Sequence, residues 1–168
     1  MHVCRRHTNG VASEAQPIAT SLAAPECVTL EVQKEGGNST QRCPGILGYQ
    51  LLVLDSDSRM SVTILDPQGR KWPLSYDQVI SRSFTSLGPV AQWRVIERSP
   101  RGDLMALTIE VNANEDPESG KVTSYWAVAK VAPSGSCVTD RIESGPNEAA
   151  RLEAAVAALK QRPCLGAQ

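Results

Sequence analysis

The fold class is decided by residues 90–112, which read VAQWRVIERSPRGDLMALTIEVN. Apolar and polar side chains alternate over residues 90–98 and again over residues 104–112, as in strands that bury one face. Between these segments, Ser99–Asp103 contains a proline and a glycine, which favour a tight turn. The stretch therefore predicts a β-hairpin, and with it an antiparallel sheet as the frame of the domain.

One strand of this hairpin carries a tryptophan. Trp93 shares a strand face with Ala91 and Val95, whereas Arg94 and Ile96 lie on the other face. A tryptophan among apolar neighbours is more often a core residue than a binding platform, which is the alternative interpretation. We expect Trp93 in the core and treat Arg94 as a candidate binding residue.

Similar strand patterns, rich in β-branched residues, recur along the chain. Turns separate them, most clearly at Asp55–Ser58 and Asp66–Gly69, where Asp, Ser, Pro and Gly favour bends. The segment Tyr76–Phe84 is ambiguous between a short helix and an irregular crossing segment. The remaining predicted strands cover residues 28–32, 49–54, 60–65, 122–131 and 136–142.

A helix is predicted near the C-terminal end. It opens at Gly145-Pro146, because proline suits the first helical position, and ends at Pro163. Its apolar stripe, spaced for one helix face, consists of Ala149, Leu152, Val156 and Leu159. The patterns together predict an α+β fold, with an antiparallel β-sheet of about six to eight strands and one C-terminal α-helix packed on it.

The chain has 168 residues, enough for one domain. Residues 1–25 show no sustained period, so we expect a disordered N-terminal tail there and a single disulfide-stapled domain over residues 26–168. No apolar run approaches the ~20 residues of a membrane-spanning helix. With 17 Lys and Arg against 18 Asp and Glu, the chain also lacks the basic excess of a nucleic-acid-binding protein.

The chain contains five cysteines, none of them in a CxxC pair, and no plausible zinc ligand set accompanies them. We expect Cys27 to pair with Cys43 and Cys137 with Cys164, because these cysteines lie near the ends of predicted elements; Cys4 is left over in the tail. The alternative is buried free thiols in a cytosolic protein. Disulfides imply an oxidising compartment, hence a periplasmic or secreted protein. Residues 1–10 lack the apolar core of a signal peptide, so we expect a signal that was removed or lies upstream.

Several short motifs occur together between residues 48 and 165. They are Gly48-Tyr49 before a strand, Asp57-Ser58-Arg59 in a hairpin, Phe84, a V-x-x-W-R segment (Val90, Trp93, Arg94), the strand Leu104–Val111, and Cys137 with Cys164 after a helix. In these motifs the chain resembles a family of uncharacterised proteobacterial secreted or periplasmic proteins. The resemblance implies an envelope location and no known activity. Family members usually carry an acidic residue before the Trp-Arg pair, where this chain has Gln92, which weakens a charge-based role at that position.

The sequence offers few groups for catalysis. No histidine occurs after His7, so a Ser-His-Asp or Cys-His mechanism is not available in the predicted domain. Asp55 and Asp57 could take a Ca²⁺ ion, but a solvated hairpin turn is the commoner meaning of such a pair, because no further ligands follow. We therefore assign no catalytic, cofactor-binding or metal-binding residue and expect no cofactor. Whether the protein is an enzyme stays open, with the balance against it.

The candidate binding residues are chosen because they are basic or aromatic, and most of them lie in predicted turns. Gln68–Trp72 and Ser99–Asp103 are predicted to be exposed loops, for which plain surface decoration is the alternative interpretation. The candidate binding residues are Arg59, Arg70, Lys71, Trp72, Arg94 and Arg101.

The sequence thus predicts a small bacterial envelope (periplasmic) binding module with a protein partner in the envelope. The most specific version of this hypothesis is an inhibitor of a lysozyme-like enzyme, whose basic loops enter the enzyme's acidic cleft. This version rests on analogy with other small disulfide-bearing β proteins. The alternatives are a structural or assembly partner in the envelope and, less favoured, a hydrolase that uses carboxylates.

Overall fold

The computed structural model describes residues 16–166, which form ten strands. In chain order the strands are β1 (Ile18–Ser21), β2 (Val28–Val32), β3 (Ser39–Pro44), β4 (Gln50–Ser56), β5 (Arg59–Leu65), β6 (Lys71–Pro73), β7 (Phe84–Glu97), β8 (Leu104–Asp116), β9 (Lys121–Ala132) and β10 (Gly135–Glu143). The helices are α1 (Tyr76–Val79) and α2 (Glu148–Ala157), and a 3₁₀ turn follows at Leu159–Gln161.

These strands form two sheets of five. Sheet A has the order β1-β7-β8-β9-β10 and sheet B the order β2-β3-β4-β5-β6, and neighbouring strands pair antiparallel. The predicted α+β class and the C-terminal helix are confirmed, but the single sheet of six to eight strands is wrong. Alternation in a sequence shows that one face of a strand is buried, and it does not show which sheet covers that face.

The main core lies between the two sheets. Leu51 and Ile64 of sheet B pack in one apolar cluster with Trp93 and Leu107 of sheet A, and all four are fully buried. The indole N–H of Trp93 donates to the hydroxyl of Thr20 in β1 at 2.9 Å, so the polar atom of the buried ring is paired. Trp93 is therefore a core residue, as predicted.

Helix α2 covers the other face of sheet A and makes a third layer. Val156 and Leu159 are buried in a second apolar cluster with Val128 of β9 and Ile142 of β10. The central strands of sheet A are consequently buried on both faces. This is why much of β8 is apolar at successive positions instead of alternating strictly.

The helix differs in detail from its prediction. It begins at Glu148, with Asn147 as the N-cap residue, instead of at Pro146. Of the predicted stripe, Ala149 is exposed and Leu152 is half-buried, because only the C-terminal half of the helix presses on the sheet.

The N-terminal part of the described chain is not a tail. Ile18–Ser21 pair with β7, and Leu22 is buried beside them. The expected disordered tail over residues 1–25 is therefore wrong from residue 18 onward, and residues 1–15, with Cys4, lie outside the described residues. Strand β1 has only four residues and is held by backbone hydrogen bonds, which leave no period in the sequence.

Both predicted disulfides are present. Cys27 bonds Cys43 with an S–S distance of 2.10 Å, and Cys137 bonds Cys164 at 2.05 Å. The first ties the start of β2 to β3, and the second ties β10 to the chain beyond α2. Two disulfides suggest an oxidising, extracytoplasmic environment. Within residues 16–166, no helix combines the length and the apolar character needed to cross a bilayer.

We predict that Val156→Asp destabilises the domain by about 3–5 kcal/mol, because it places an uncompensated carboxylate between α2 and sheet A. The matched control is Arg151→Ala, five residues earlier on the exposed side of the helix, which removes an exposed hydrogen bond to the carbonyl of Glu143 and should cost less than ~1 kcal/mol. Urea unfolding followed by circular dichroism measures both. Equal midpoints for the two variants would show that α2 is not docked on the sheet.

Candidate functional site

Loops from both sheets meet at one end of the sandwich. Asp66–Arg70, between β5 and β6, and Ser99–Asp103, between β7 and β8, line one groove. The guanidinium of Arg70 donates to the carbonyl of Pro133, in the turn between β9 and β10, at 2.8 Å. Gly102 lies so close to Pro133 that a Cβ at that glycine would overlap the proline ring. We call this surface the loop end and define it as Ile46–Tyr49, Asp66–Arg70, Ser99–Asp103 and Pro133.

A buried carboxylate organises the first of these loops. The side chain of Asp66 is only 1% exposed. It accepts hydrogen bonds from the backbone N–H groups of Gln68 and Arg70 at 2.9 and 2.8 Å, from Nε of Arg70 at 2.8 Å, and from the indole N–H of Trp72 at 3.0 Å. Burial by itself raises the pKa of Asp66, but the hydrogen bonds from Trp72, Arg70 and Gln68 outweigh it, and the pKa lies below its ordinary value. The ionised carboxylate therefore holds the loop in one conformation.

Arg70 and Trp72 serve this internal network. The guanidinium of Arg70 lies 5.6 Å from the centre of the Trp72 ring, and its bonds to Asp66 and Pro133 join a hairpin of sheet B to a turn of sheet A. On the sheet A side, Trp72 lies against Gly135, where a Cβ would come within 3.0 Å of the ring. The neighbouring Lys71 remains exposed.

The loop end encloses a groove of about 270 Å³. Tyr49 and Met105 line it and are almost wholly buried. Apolar side chains continue up its walls, because the prolines of three different loops and the half-exposed Leu47 border it. These wall prolines are Pro67, Pro100 and Pro133.

The charges at the loop end leave one arginine without an ionic partner. Asp66 pairs with Arg70 at 2.8 Å, and Asp103 pairs with Arg98 at 3.7 Å while accepting the N–H of Ser99. Within residues 16–166, no carboxylate lies within salt-bridge distance of Arg101, which is exposed on the rim of the groove. The loop end therefore presents uncompensated positive charge beside an apolar groove.

Of the six candidate binding residues, Arg70 and Arg101 lie in the loop end, Lys71 and Trp72 follow it directly in β6, and Arg59 and Arg94 lie elsewhere. Arg59, at the opposite end of the sandwich, contacts Asp57 at 2.9 Å and stacks 4.7 Å from the ring centre of Phe84. Arg94 lies under α2, where both its terminal nitrogens donate to the carboxylate of Glu153 at 2.9 Å. The hydrogen bonds to Glu153 raise the pKa of Arg94, and the same pair lowers the pKa of Glu153. Arg94 thus fastens the helix to sheet A.

The structure also places carboxylates that could serve metal or acid–base chemistry, among them Asp57 from the sequence analysis. Asp57 is paired with Arg59 in the tight turn between β4 and β5. Glu115 accepts the hydroxyl of Tyr125 at 2.6 Å, and burial together with this bond raises the pKa of Tyr125 to about 12. In the part of the chain that the structure describes, no group of three or more His, Cys, Asp or Glu side chains is arranged to hold a metal ion.

Sequence reasoning missed the residues that shape the groove. The turn Asp66–Gly69 is visible in the sequence, but the burial of its carboxylate is not, because the burial depends on Trp72 of the next strand and on a turn of the other sheet. Leu47 could have been noticed in the sequence, because it precedes Gly48 at the centre of a turn, a position where asparagine is usual. Comparison of the chain with protein-family models, curated proteins and solved structures gives no significant match.

We predict that Asp66→Asn lowers the urea midpoint at pH 7, because asparagine keeps one neutral acceptor oxygen for four donors and places an NH2 group where the second oxygen accepted two of them. The folded pKa of Asp66 lies below its ordinary value, so its contribution is present above about pH 4 and is lost as the pH falls through the folded pKa. The difference between wild type and variant should therefore shrink between pH 7 and pH 3.

The matched control is Asp57→Asn, which changes the same group at a side chain that is 86% exposed. Its effect on the midpoint should be small at both pH values. If the two variants behave alike at pH 7, Asp66 does not organise the loop.

Proposed function

We propose that the protein is a small binding module of the bacterial envelope that holds a protein partner at its loop end. The observation that carries this proposal is the convergence of loops from both sheets into one internally bonded surface, with Arg101 on its rim and no ionic partner for it among residues 16–166. Recognition by loops on a rigid frame is a common division of labour in binding proteins. The two disulfides and the resemblance to envelope proteins support the location.

The sharper form of the proposal is inhibition of a lysozyme-like enzyme. Enzymes that cleave glycosidic bonds carry a pair of carboxylates in an open cleft. Arg101 stands on a loop whose backbone is packed against the body of the protein at Gly102 and Pro133, so the loop itself has little conformational freedom left to lose on binding. Such a cation is suited to an acidic cleft.

We predict that a lysozyme which binds this protein is inhibited by it, and that the variant Arg101→Glu/Lys71→Glu binds about tenfold more weakly, mainly through slower association. Arg70 is left unchanged, because its reversal would break the Asp66 network and test stability instead of recognition. Biolayer interferometry at 20 and 300 mM salt measures the rates, and lysis of peptidoglycan measures inhibition.

The matched control is Lys34→Glu/Lys121→Glu, which changes the net charge equally at exposed positions of the opposite end. It should bind like the wild type. Failure of lysozymes to bind rejects the inhibitor form. For any envelope partner, an affinity that both salt and the Arg101 and Lys71 reversals leave unchanged rejects the loop end as the binding surface.

A further inference from the structure

The turn between β3 and β4 holds a leucine in an unfavourable conformation. Leu47 has φ 52° and Gly48 has φ 85°, and the N–H of Tyr49 donates to the carbonyl of Ile46 at 2.9 Å. Positive φ values at both central positions of a β-turn, here Ile46–Tyr49, favour Asn-Gly, because asparagine tolerates the left-handed region and leucine rarely adopts it. Gly48 meets this requirement and Leu47 does not.

Leu47 buries only about half of its side chain against the protein. Its side chain is 52% exposed, among the larger exposures of the apolar residues in the described chain, and it borders the groove of the loop end. In the free protein both the backbone conformation of Leu47 and its exposed apolar surface are therefore unfavourable. Backbone strain of this kind is held in place by the surrounding structure and clusters at functional sites. The position of Leu47 on the rim indicates that a ligand covers it.

The groove also constrains what can bind beside Leu47. Three prolines form part of its walls, and because proline has no N–H to donate, Pro67, Pro100 and Pro133 offer apolar contact instead of strand pairing. A groove of about 270 Å³ suits one large apolar side chain of a ligand, with Tyr49 and Met105 beneath it.

Charge defines the surroundings of that side chain. Within residues 16–166, the charged groups of the loop end are accounted for by the pairs Asp66–Arg70 and Asp103–Arg98, apart from Arg101, and the exposed Lys71 directly beyond the loop end adds a second positive charge. The uncompensated charge is thus positive and lies on the rim. Carboxylates that flank the apolar side chain of the ligand would be attracted there.

We infer that the groove binds an extended acidic segment of the partner protein, with one leucine-sized side chain against Leu47 and carboxylates facing Arg101. This inference rests on the proposed function, since it uses the same loop end, and it adds the chemistry of the partner. Leu47 is the specificity-determining residue, and its strain is the feature that distinguishes a binding groove from an ordinary crevice.

The test uses the acetylated, amidated pentapeptide Glu-Glu-Leu-Glu-Glu and the full ¹⁵N-labelled chain, titrated by NMR. The expected result is saturable shifts at the amides of Leu47, Gln68 and Gly102. A probe with alanine in place of leucine should bind at least about tenfold more weakly, because it loses most of the buried apolar surface. A probe with glutamine in place of glutamate should also bind more weakly and without salt dependence.

The deciding variant is Leu47→Asn. It should keep or raise the urea midpoint, since asparagine suits the left-handed conformation, and yet bind the probe at least about tenfold more weakly. The matched control Leu30→Thr removes a leucine that is 49% exposed on β2, away from the groove, and should bind like the wild type. The proposal is overturned if Leu47→Asn binds like the wild type, if the shifts lie outside the loop end, or if millimolar probe gives no saturable shift.

The outcomes separate the two proposals. Loss of binding in Leu47→Asn but not in Arg101→Glu/Lys71→Glu would support the groove and reject its charge-based recognition. Loss of binding in Arg101→Glu/Lys71→Glu but not in Leu47→Asn would support a cationic binding surface and reject the role of the apolar groove.

Discussion

The carboxylate of Asp66 is the interaction on which the loop end depends. It gathers two backbone N–H groups, a guanidinium and an indole N–H around one buried charge. Because a buried carboxylate without partners would be strongly unfavourable, all four donors are held in place together. Arg70 also donates a hydrogen bond to the carbonyl of Pro133, in a turn of sheet A, so the ends of the two sheets are fixed relative to each other.

The layered fold explains why such a network lies at an end of the sandwich. Sheet A is covered by sheet B on one face and, in part, by α2 on the other, so its central strands have little polar surface left to offer. The strand ends carry the turns, and turns supply the exposed backbone and short polar side chains that recognition uses. The two disulfides fasten the edge strands β2 and β10 close to this end of the sandwich, since Cys43 lies three residues before Ile46 and Cys137 four residues after Pro133.

The sequence predicted strands with clear alternation well, and it failed where order comes from partners distant in the chain. Val28–Val32 was predicted with its observed bounds, whereas β1, β3 and β6 were missed because they are short or polar and pair mainly through their backbones. The basic loops were visible in the sequence. Their convergence was not, nor was the burial of Asp66, because both depend on how two sheets are stacked. Leu47 could have been noticed, since Leu-Gly occupies a turn in which Asn-Gly is usual.

The central claim, that Asp66 preorganises the loop end, is tested most directly by amide hydrogen exchange at Gln68 and Arg70. Both residues lie in an exposed turn, yet their N–H groups donate to the buried carboxylate. Measured by NMR at pH 6, both amides should exchange far more slowly than in an unstructured chain, as expected for hydrogen bonds that open only with wider unfolding. Exchange at the unstructured rate at Gln68 and Arg70, while Val62 and Ile64 of β5 stay protected, would contradict the account.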